Sequence, residues 1–364
     1  MRARDVAFIR KLCTLGLPPR SLVLSLLPAL RELVPAHSAG VFWVDEAGQM
    51  SSLYAERMLP TDVMAAYHER HYASQRDGFA AAFKQRATAA DPVSSHSFSR
   101  SEQATDYFRE VLEPLDSYHV LYAVLRDERR AFAQLSLYRG KRDKPFGAAD
   151  ADTLRGLLRY LATGLVETDR GTAQSDESVV VEEQLGLVTR DGAVIAASEA
   201  WKKLVRLGAL TRVAPRDASR ERVAIEDFLR ELSGDAASSG RAEIVRHTAW
   251  GKFTIRAYRL HDERGQRADP VGLLIRREEP KSLSWVRGAG NSELSPQQRE
   301  VALLLARGRT NPEIAQALGL SLNTAGYHVK QVYAKLEVND RDAVSERLLG
   351  LAQAPPGPPA RGAP

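Results

Sequence analysis

The apolar positions between residues 294 and 351 predict a run of four short helices. In each of the first three helices, apolar residues recur at helical spacing and leave the other side polar. The longest stripe lies in the third predicted helix, at Ala325, Val329, Val332 and Leu336. A continuous stripe of this length indicates a helix that is buried along one side only.

Sequence signals for the start of a helix precede each of the first three. Ser295 with Gln298, and Thr310 with Glu313, have the spacing of capping boxes, each with proline in the first turn. Ser321 can cap the third helix. Two glycines supply the stops between the helices: Gly308 and Gly319. The compact spacing predicts a helix-turn-helix unit.

The third predicted helix has a polar side opposite its apolar stripe, formed by Asn323, Gly326, Tyr327, Lys330 and Gln331. Such a side on an isolated helix is usually only a solvated surface. Two capped helices precede this one at short spacing, and that arrangement is typical of a helix that enters a DNA groove. We therefore predict double-stranded DNA as the partner.

The segment resembles the LuxR-type (GerE) helix-turn-helix family of bacterial transcription regulators. The resemblance rests on the opening LSPQQREVALLLARG, the turn TNPEIAQALGLS, and the run T-x-x-x-H-V-K…KL from Thr324 to Leu336. It implies that the base-facing positions are Gly326, Tyr327 and Lys330, with Asn323, Thr324 and Gln331 beside them. It also implies phosphate contacts at Thr310, Ser321 and Lys335. Glu300 and His328, also family features, are expected to be structural.

The sequence departs from the family pattern at three places. Gly326 stands where a long polar side chain is usual, and Ala325 replaces a usual valine. The turn 338–344 is one residue shorter than the family's turn into its fourth helix. That helix, 340–351, resembles the family's dimerisation helix, and the implied dimer contacts are Val344, Leu348 and Leu351.

The pattern of residues 1–168 predicts strands at 41–44, 51–56, 118–125 and 131–138, with helices at 21–34 and up to Leu165. Residues 91–106 are predicted to form a polar loop. This order resembles a GAF domain, which often holds a small ligand. The ligand domain of quorum-sensing regulators is the alternative, through Tyr67, Tyr72 and Asp77. A phosphorelay receiver is excluded because Asp45 lies in a hairpin turn without parallel βα repeats.

Residues 169–180 are predicted to be a linker, and 181–283 resemble a PAS domain. There, a strand, an Asp191–Gly192 turn, a second strand and helices precede three alternating strands. His247 and His261 could ligate haem, but we expect both to be surface histidines. The DNA-binding domain is predicted over 284–352, followed by a disordered Pro/Gly-rich tail at 353–364.

Composition narrows the function. Net charge is +5, from 51 Lys+Arg against 46 Asp+Glu, which is compatible with a nucleic-acid partner. Residues 291–352, however, hold seven basic and seven acidic residues, a net charge of zero. Because phosphate neutralisation supplies much of DNA affinity, we expect weak binding by a monomer and a need for a homodimer. The single cysteine, Cys13, fits a reducing cytoplasm and is expected to be a buried apolar residue.

No apolar run reaches the roughly eighteen residues of a membrane span, and the N-terminus lacks the features of a signal peptide. Phosphate-loop, metal-ligand and nucleophile-elbow motifs are absent, so we expect neither an enzyme nor a cofactor or metal. The serines around His96 are attributed to composition.

The predicted fold class is α+β sensor domains, GAF-like and PAS-like antiparallel sheets with flanking helices, followed by an all-α four-helix helix-turn-helix domain. The predicted function is a one-component transcription regulator that responds to a small-molecule effector and contacts RNA polymerase. The alternatives are a ligandless dimerisation scaffold that carries the DNA-binding domain, and a receptor for acyl-homoserine lactones.

Overall fold

The computed structural model describes residues 2–57, 72–166, 177–209, 224–232, 243–248, 250–261, 263–264 and 267–353. The chain divides into two compact units. The sheet unit (16–172 and 180–278) contains two antiparallel sheets with flanking helices. The helical unit combines 1–15 and 173–179 with 279–364.

The α-helices of the described residues are α1 (Arg2–Cys13), α2 (Pro19–Leu33), α3 (Tyr72–Thr88), α4 (Arg100–Gln103), α5 (Ala148–Arg155), α6 (Leu158–Leu165), α7 (Glu199–Ala209), α8 (224–232), α9 (Lys281–Asn291), α10 (Pro296–Ala306), α11 (Asn311–Leu318), α12 (Leu322–Leu336) and α13 (Arg341–Gln353). A π-helical turn covers Phe108–Leu112. The strands are β1 (Ser38–Val44), β2 (Met50–Ala55), β3 (Val93–Ser97), β4 (His119–Arg126), β5 (Ala131–Arg139), β6 (Ser178–Val188), β7 (Val194–Ala196), β8 (Glu243–Thr248), β9 (Gly251–His261) and β10 (Arg267–Pro280). None of these helices is long and apolar enough to cross a membrane.

The first sheet has the strand order β2-β1-β5-β4-β3. Because side chains alternate along a strand, one face collects the fully buried Val41, Leu121 and Leu135. Helices α2 and α6 supply buried leucines, including Leu26 and Leu161, to the same unit. The opposite face is polar along β5, where Gln134 and Ser136 are also buried.

The second sheet has the strand order β7-β6-β10-β9-β8. Its buried face includes Phe253, Ile255 and Leu273. Trp201 of α7 is fully buried, and its indole nitrogen donates to the carbonyl of Leu273 at 2.8 Å. A Cβ on Gly186 would lie 2.4 Å from the Trp201 ring, so only glycine permits this strand–helix approach.

Trp250, between β8 and β9, joins the two sheets. Its fully buried ring lies 5.5 Å from the ring of Tyr54 and 6.4 Å from that of Trp43, both in the first sheet. The Arg20 guanidinium is 5.3 Å from the Trp43 ring and 5.8 Å from the Trp250 ring. Aromatic contacts of this kind stabilise beyond the area that they bury. The two sheets therefore share a cluster of aromatic side chains.

In the helical unit, α9 packs closely on α13. A Cβ on Gly288 would lie 1.9 Å from the carbonyl oxygen of Leu348, so the two backbones touch at this point. Trp285 donates to the hydroxyl of Ser345 at 3.1 Å beside this contact. At the start of α9, the buried Glu279 carboxylate binds the Arg287 guanidinium at 2.5 Å. These contacts fix α9 within the unit.

The two antiparallel sheets and the helical C-terminal unit confirm the predicted order of antiparallel sheets followed by a helical domain. The prediction of a polar loop at 91–106 was wrong, because this segment contains β3 and α4. β3 pairs with β4 at the sheet edge, where a strand can stay polar on its open side. The helix predicted to end near Leu165 is broken at Gly156 into α5 and α6, since glycine is a poor helix former.

His247 and His261 are exposed on β8 and β9, as expected for surface histidines. His96 lies 2.9 Å from the Glu102 carboxylate, and Ser99 caps α4. β6 begins at Ser178, inside the predicted linker. The predicted tail beyond Gln353, and most of the predicted linker, lie outside the described residues.

We predict that Trp250→Ala lowers the free energy of unfolding of the sheet unit by about 3–5 kcal/mol, because it removes a fully buried ring. Trp250→Phe should cost less, since no described residue accepts a hydrogen bond from the indole nitrogen. Chemical denaturation of the full chain, followed by near-UV circular dichroism, measures this. Tyr258→Ala, on the exposed side of β9, is the control, and an equal loss in that variant would contradict the prediction.

We predict that Gly288→Ala destabilises the helical unit by about 1–3 kcal/mol, because the new methyl group meets backbone atoms of Leu348 that cannot move independently. Gly350→Ala, on α13, is the matched control, because its Cβ would meet nothing within 4 Å. It should stabilise the helix by about 0.5–1 kcal/mol. Hydrogen exchange of the α9 and α13 amides distinguishes the two variants, and equal protection in both would show that the predicted clash is tolerated.

Candidate nucleic-acid interface

The predicted capping signals are confirmed in the helical unit. The Ser295 hydroxyl accepts from the amide of Gln298, whose side chain accepts from the Ser295 amide at 2.9 Å. Thr310 and Glu313 form the same reciprocal pair at α11. The Ser321 hydroxyl accepts from the Thr324 amide at 3.1 Å. These bonds satisfy amides that a helix start otherwise leaves unpaired.

Gly319 ends α11 with φ +63°, a left-handed conformation that suits glycine. Only Leu320 and Ser321 then separate it from the first residue of α12. α10 and α11 both pack on α12. The whole predicted stripe of α12 is buried there: Ala325, Val329, Val332 and Leu336. One side of α12 is thus fixed to the unit, and the other side faces outward.

The outward side of α12 brings together the predicted base-facing residues. Asn323, Gly326, Tyr327 and Lys330 follow one another at i, i+3, i+4 and i+7, so they form one stripe along the helix. Asn323 and Lys330 are exposed, and Tyr327 is 60% exposed. A Cβ on Gly326 would meet nothing within 4 Å, so the helix is flat and open at this point. Thr324 is exposed and Gln331 is half-buried at the edges of the stripe.

Leu322 belongs to the same surface and was not predicted from the sequence. It is the first residue of α12 and is 56% exposed, an unusual position for leucine. It precedes Gly326 by one helical turn, so it extends the stripe toward the helix start. The signal in the sequence is an apolar residue that falls outside the buried stripe.

The predicted phosphate-contact residues all have partners inside the unit. The Thr310 hydroxyl donates to the Glu313 carboxylate at 2.8 Å. Hydrogen bonds from the Thr310 amide and hydroxyl, followed by Arg309, lower the pKa of Glu313 to about 2. A charged carboxylate therefore stands at the start of α11, where it is paired with the Arg309 guanidinium at 2.9 Å. The Ser321 hydroxyl lies 2.8 Å from that of Thr324.

Lys335 is exposed in the last turn of α12, but its ammonium is held by α10 and the segment before it. It donates to the Gln298 side chain at 3.0 Å and to the Glu293 carbonyl at 3.3 Å. This contact joins the end of α12 to the capping box of α10. The phosphate roles of Thr310, Ser321 and Lys335 remain predictions.

The predicted dimerisation residues lie on α13. Val344 and Leu348 are fully buried in the single chain, on the helix that packs against α9, and Leu351 is half-buried. The Asn291 side chain donates to the Leu351 carbonyl at 3.0 Å, so the end of α13 is also tied to α9. Two of these three side chains are thus occupied within the chain, and their role in a dimer remains a prediction.

Helices α1 and α9 extend the helical unit, and neither was predicted from the sequence. The Lys11 ammonium of α1 lies 2.6 Å from the Glu300 carboxylate of α10. A Cβ on Gly290 of α9 would lie 2.8 Å from the Phe8 ring of α1. The spacing of the buried Ile9, Leu12 and Cys13 is the signal for α1. Cys13 is buried, as expected, and this burial raises the pKa of its thiol to about 12.

Comparisons with known proteins identify the domain that carries these residues. Residues 292–346 match the family model described as "Bacterial regulatory proteins, luxR family". The putative HTH-type transcriptional regulator YhjB of Escherichia coli is 44% identical over 55 residues, 15% of this chain and 28% of that protein. The transcriptional activator protein CarR of Pectobacterium carotovorum is 39% identical over 67 residues, 18% of this chain and 28% of that protein. The matches thus span about a quarter of these relatives.

Among solved structures, Escherichia coli SdiA is 12% identical, with 89% of this chain and 88% of that chain covered and a TM-score of 0.25. A Vibrio cholerae VqmA–ligand–DNA complex is 13% identical, with 48% and 87% covered and a TM-score of 0.23. The family match, the confirmed caps and the exposed stripe of α12 agree with one another, and residues 292–346 are a LuxR-type helix-turn-helix domain.

Proposed function

We propose that this protein is a sequence-specific, DNA-binding transcription regulator of the bacterial one-component type. The observation that carries the proposal is the stripe of α12, in which Asn323, Tyr327 and Lys330 point outward from a helix whose other side is buried. A helix held in this way can lie in the major groove while the rest of its domain contacts the phosphates. The proposed activity is not enzymatic.

Each residue of the stripe has a distinct role in the proposal. The Lys330 ammonium donates to acceptor atoms of guanine, and the Asn323 amide can both donate and accept at adenine. Tyr327 and Leu322 offer apolar contacts to thymine methyl groups. At Gly326 the absence of a side chain allows the helix backbone to approach the bases closely.

The proposal assigns a sensing role to the sheet unit. Its two antiparallel sheets with flanking helices support a GAF-like domain followed by a PAS-like domain, and a small effector would control DNA binding. The zero net charge of 291–352 supports action as a homodimer, which doubles the number of phosphate contacts. We place the protein in the cytoplasm with its DNA, where it would also contact RNA polymerase.

A ligandless dimerisation scaffold remains the second candidate, and one observation favours it. The second sheet exposes several large apolar side chains, including Leu185, Val245 and Tyr258, as a surface for association would. The acyl-homoserine lactone alternative relied on Tyr67, which lies outside the described residues, and on Tyr72 and Asp77, whose side chains are not described.

Selection of binding sites from a pool of random duplexes, with the full chain as bait, tests the proposed function. We expect enrichment of a defined sequence, with two-fold symmetry if the protein binds as a dimer. Recovery of duplexes without any common sequence would contradict sequence-specific binding.

We predict that Lys330→Ala weakens binding to the selected duplex by about 1–3 kcal/mol and relaxes selectivity at one base pair, because one direct base contact is lost. Titration of the full chain with labelled duplexes that carry each base change measures both effects. Lys202→Ala, which removes a lysine paired with Glu199 in α7, is the control for the change in net charge. Unchanged affinity and selectivity in Lys330→Ala would show that the stripe does not face the bases.

A further inference from the structure

The face of the first sheet opposite its apolar core has a polar centre. Gln134, Ser136 and Tyr138 alternate along β5, so their side chains leave the same face. Tyr122 of β4 pairs with Ser136 and therefore joins them. Gln134 and Ser136 are buried. Polar groups at the centre of a sheet cost free energy unless they are hydrogen-bonded, so the members of this cluster require hydrogen-bond partners.

Arg86 reaches this cluster from α3. Its Nε donates to the Gln134 amide oxygen at 2.9 Å, and the Gln134 amide nitrogen donates to the Ser136 hydroxyl at 3.2 Å. The guanidinium carbon lies 4.4 Å from the centre of the Tyr122 ring. The hydrogen bond and the ring contact together hold the guanidinium in one orientation.

The charge of Arg86 has no counter-ion among the described residues. No carboxylate of the described chain forms an ion pair with it, whereas Arg139 of the same sheet binds Asp150 at 3.0 Å. Its two terminal amino groups make no hydrogen bond to a described residue. Arg86 is half-buried, and this burial lowers the pKa of its guanidinium. The cation thus presents two free donors side by side, the geometry that binds a carboxylate.

Aromatic rings lie beside the cluster. Phe42 of β1 pairs with Gln134, so its ring leaves the same face. The ring of Phe79 from α3 is 6.0 Å from that of Phe42 and is stacked 6.3 Å from that of Phe83. Phe42 and Phe79 are half-buried. An apolar aromatic surface therefore borders the unpaired cation.

We propose that this face of the first sheet binds a small aromatic carboxylate. The carboxylate would accept two hydrogen bonds from the terminal amino groups of Arg86, and the aromatic body would lie against Phe42 and Phe79. The inference rests on the proposed function in one respect, since such a ligand would be the effector that the sheet unit senses.

Calorimetric titration of the full chain with benzoate and with benzamide tests this site. The two probes have nearly the same shape but differ in charge. We expect benzoate to bind and benzamide to bind at least about tenfold more weakly, because a charge-assisted pair is replaced by a neutral one. Equal binding of the two probes, or no binding of benzoate, would overturn the proposal.

Three variants locate the effect. Arg86→Gln should weaken benzoate binding by about tenfold to a hundredfold, and Arg86→Lys should give an intermediate loss because it keeps the charge without the planar fork. Arg129→Gln, in the exposed β4–β5 turn, is the matched control and should bind as the unchanged chain does. If Arg86 only supports the fold, Arg86→Gln will lower the thermal midpoint without changing the preference for benzoate, and the proposal fails.

Phe42→Ala provides a measurement that does not alter Arg86. It should weaken the binding of both probes while the preference for benzoate persists, and loss of that preference would argue against Arg86 as its source.

The titrations need no DNA, and the selection of DNA sites needs no benzoate. Failure to select a DNA sequence would therefore remove the proposed function without touching the binding result, and failure to bind benzoate would leave DNA recognition standing.

Discussion

The DNA-binding domain depends on the backbone contact between α9 and α13. A methyl group at Gly288 would overlap the Leu348 carbonyl, so the two helices are as close as two backbones can be. Val344 and Leu348 of α13 are fully buried, and both α9 and α10 pack on that helix. A recognition helix holds its base-contacting side chains in place only if the helices that support it are rigid. Here the supporting helices include α9, which precedes the matched family segment that begins at residue 292.

The alternation of apolar and polar side chains along β5 gives the first sheet two different faces. On β5, Leu135 and Leu137 face the helices of the core, while Gln134 and Ser136 face α3. The apolar face stabilises the fold through burial. Polar groups on the other face would cost free energy if they lacked partners, and hydrogen bonds join Arg86, Gln134 and Ser136 there.

The sequence predicted the caps and the buried stripe of α12 because both are local: a hydroxyl and an amide three residues apart, and apolar residues at helical spacing. It did not predict α9, since that helix contains Gly288 and Gly290, which are poor helix formers. These glycines are required by contacts with residues distant in the chain, Gly288 with Leu348 and Gly290 with Phe8. The polar cluster at Arg86 was missed likewise, because only strand pairing brings Tyr122 and Phe42 beside β5.

The burial of Val344 and Leu348 has a consequence for assembly. A second copy that used these residues would compete with the helices that pack on α13, α9 and α10, which belong to the same chain and are therefore present at a high effective concentration. Such a dimer would form only after this packing is loosened, so its apparent dissociation constant would include the free energy of undocking. A change in protein concentration alone would then have little effect on dimer formation, whereas a change that loosens the packing on α13 would have a large effect.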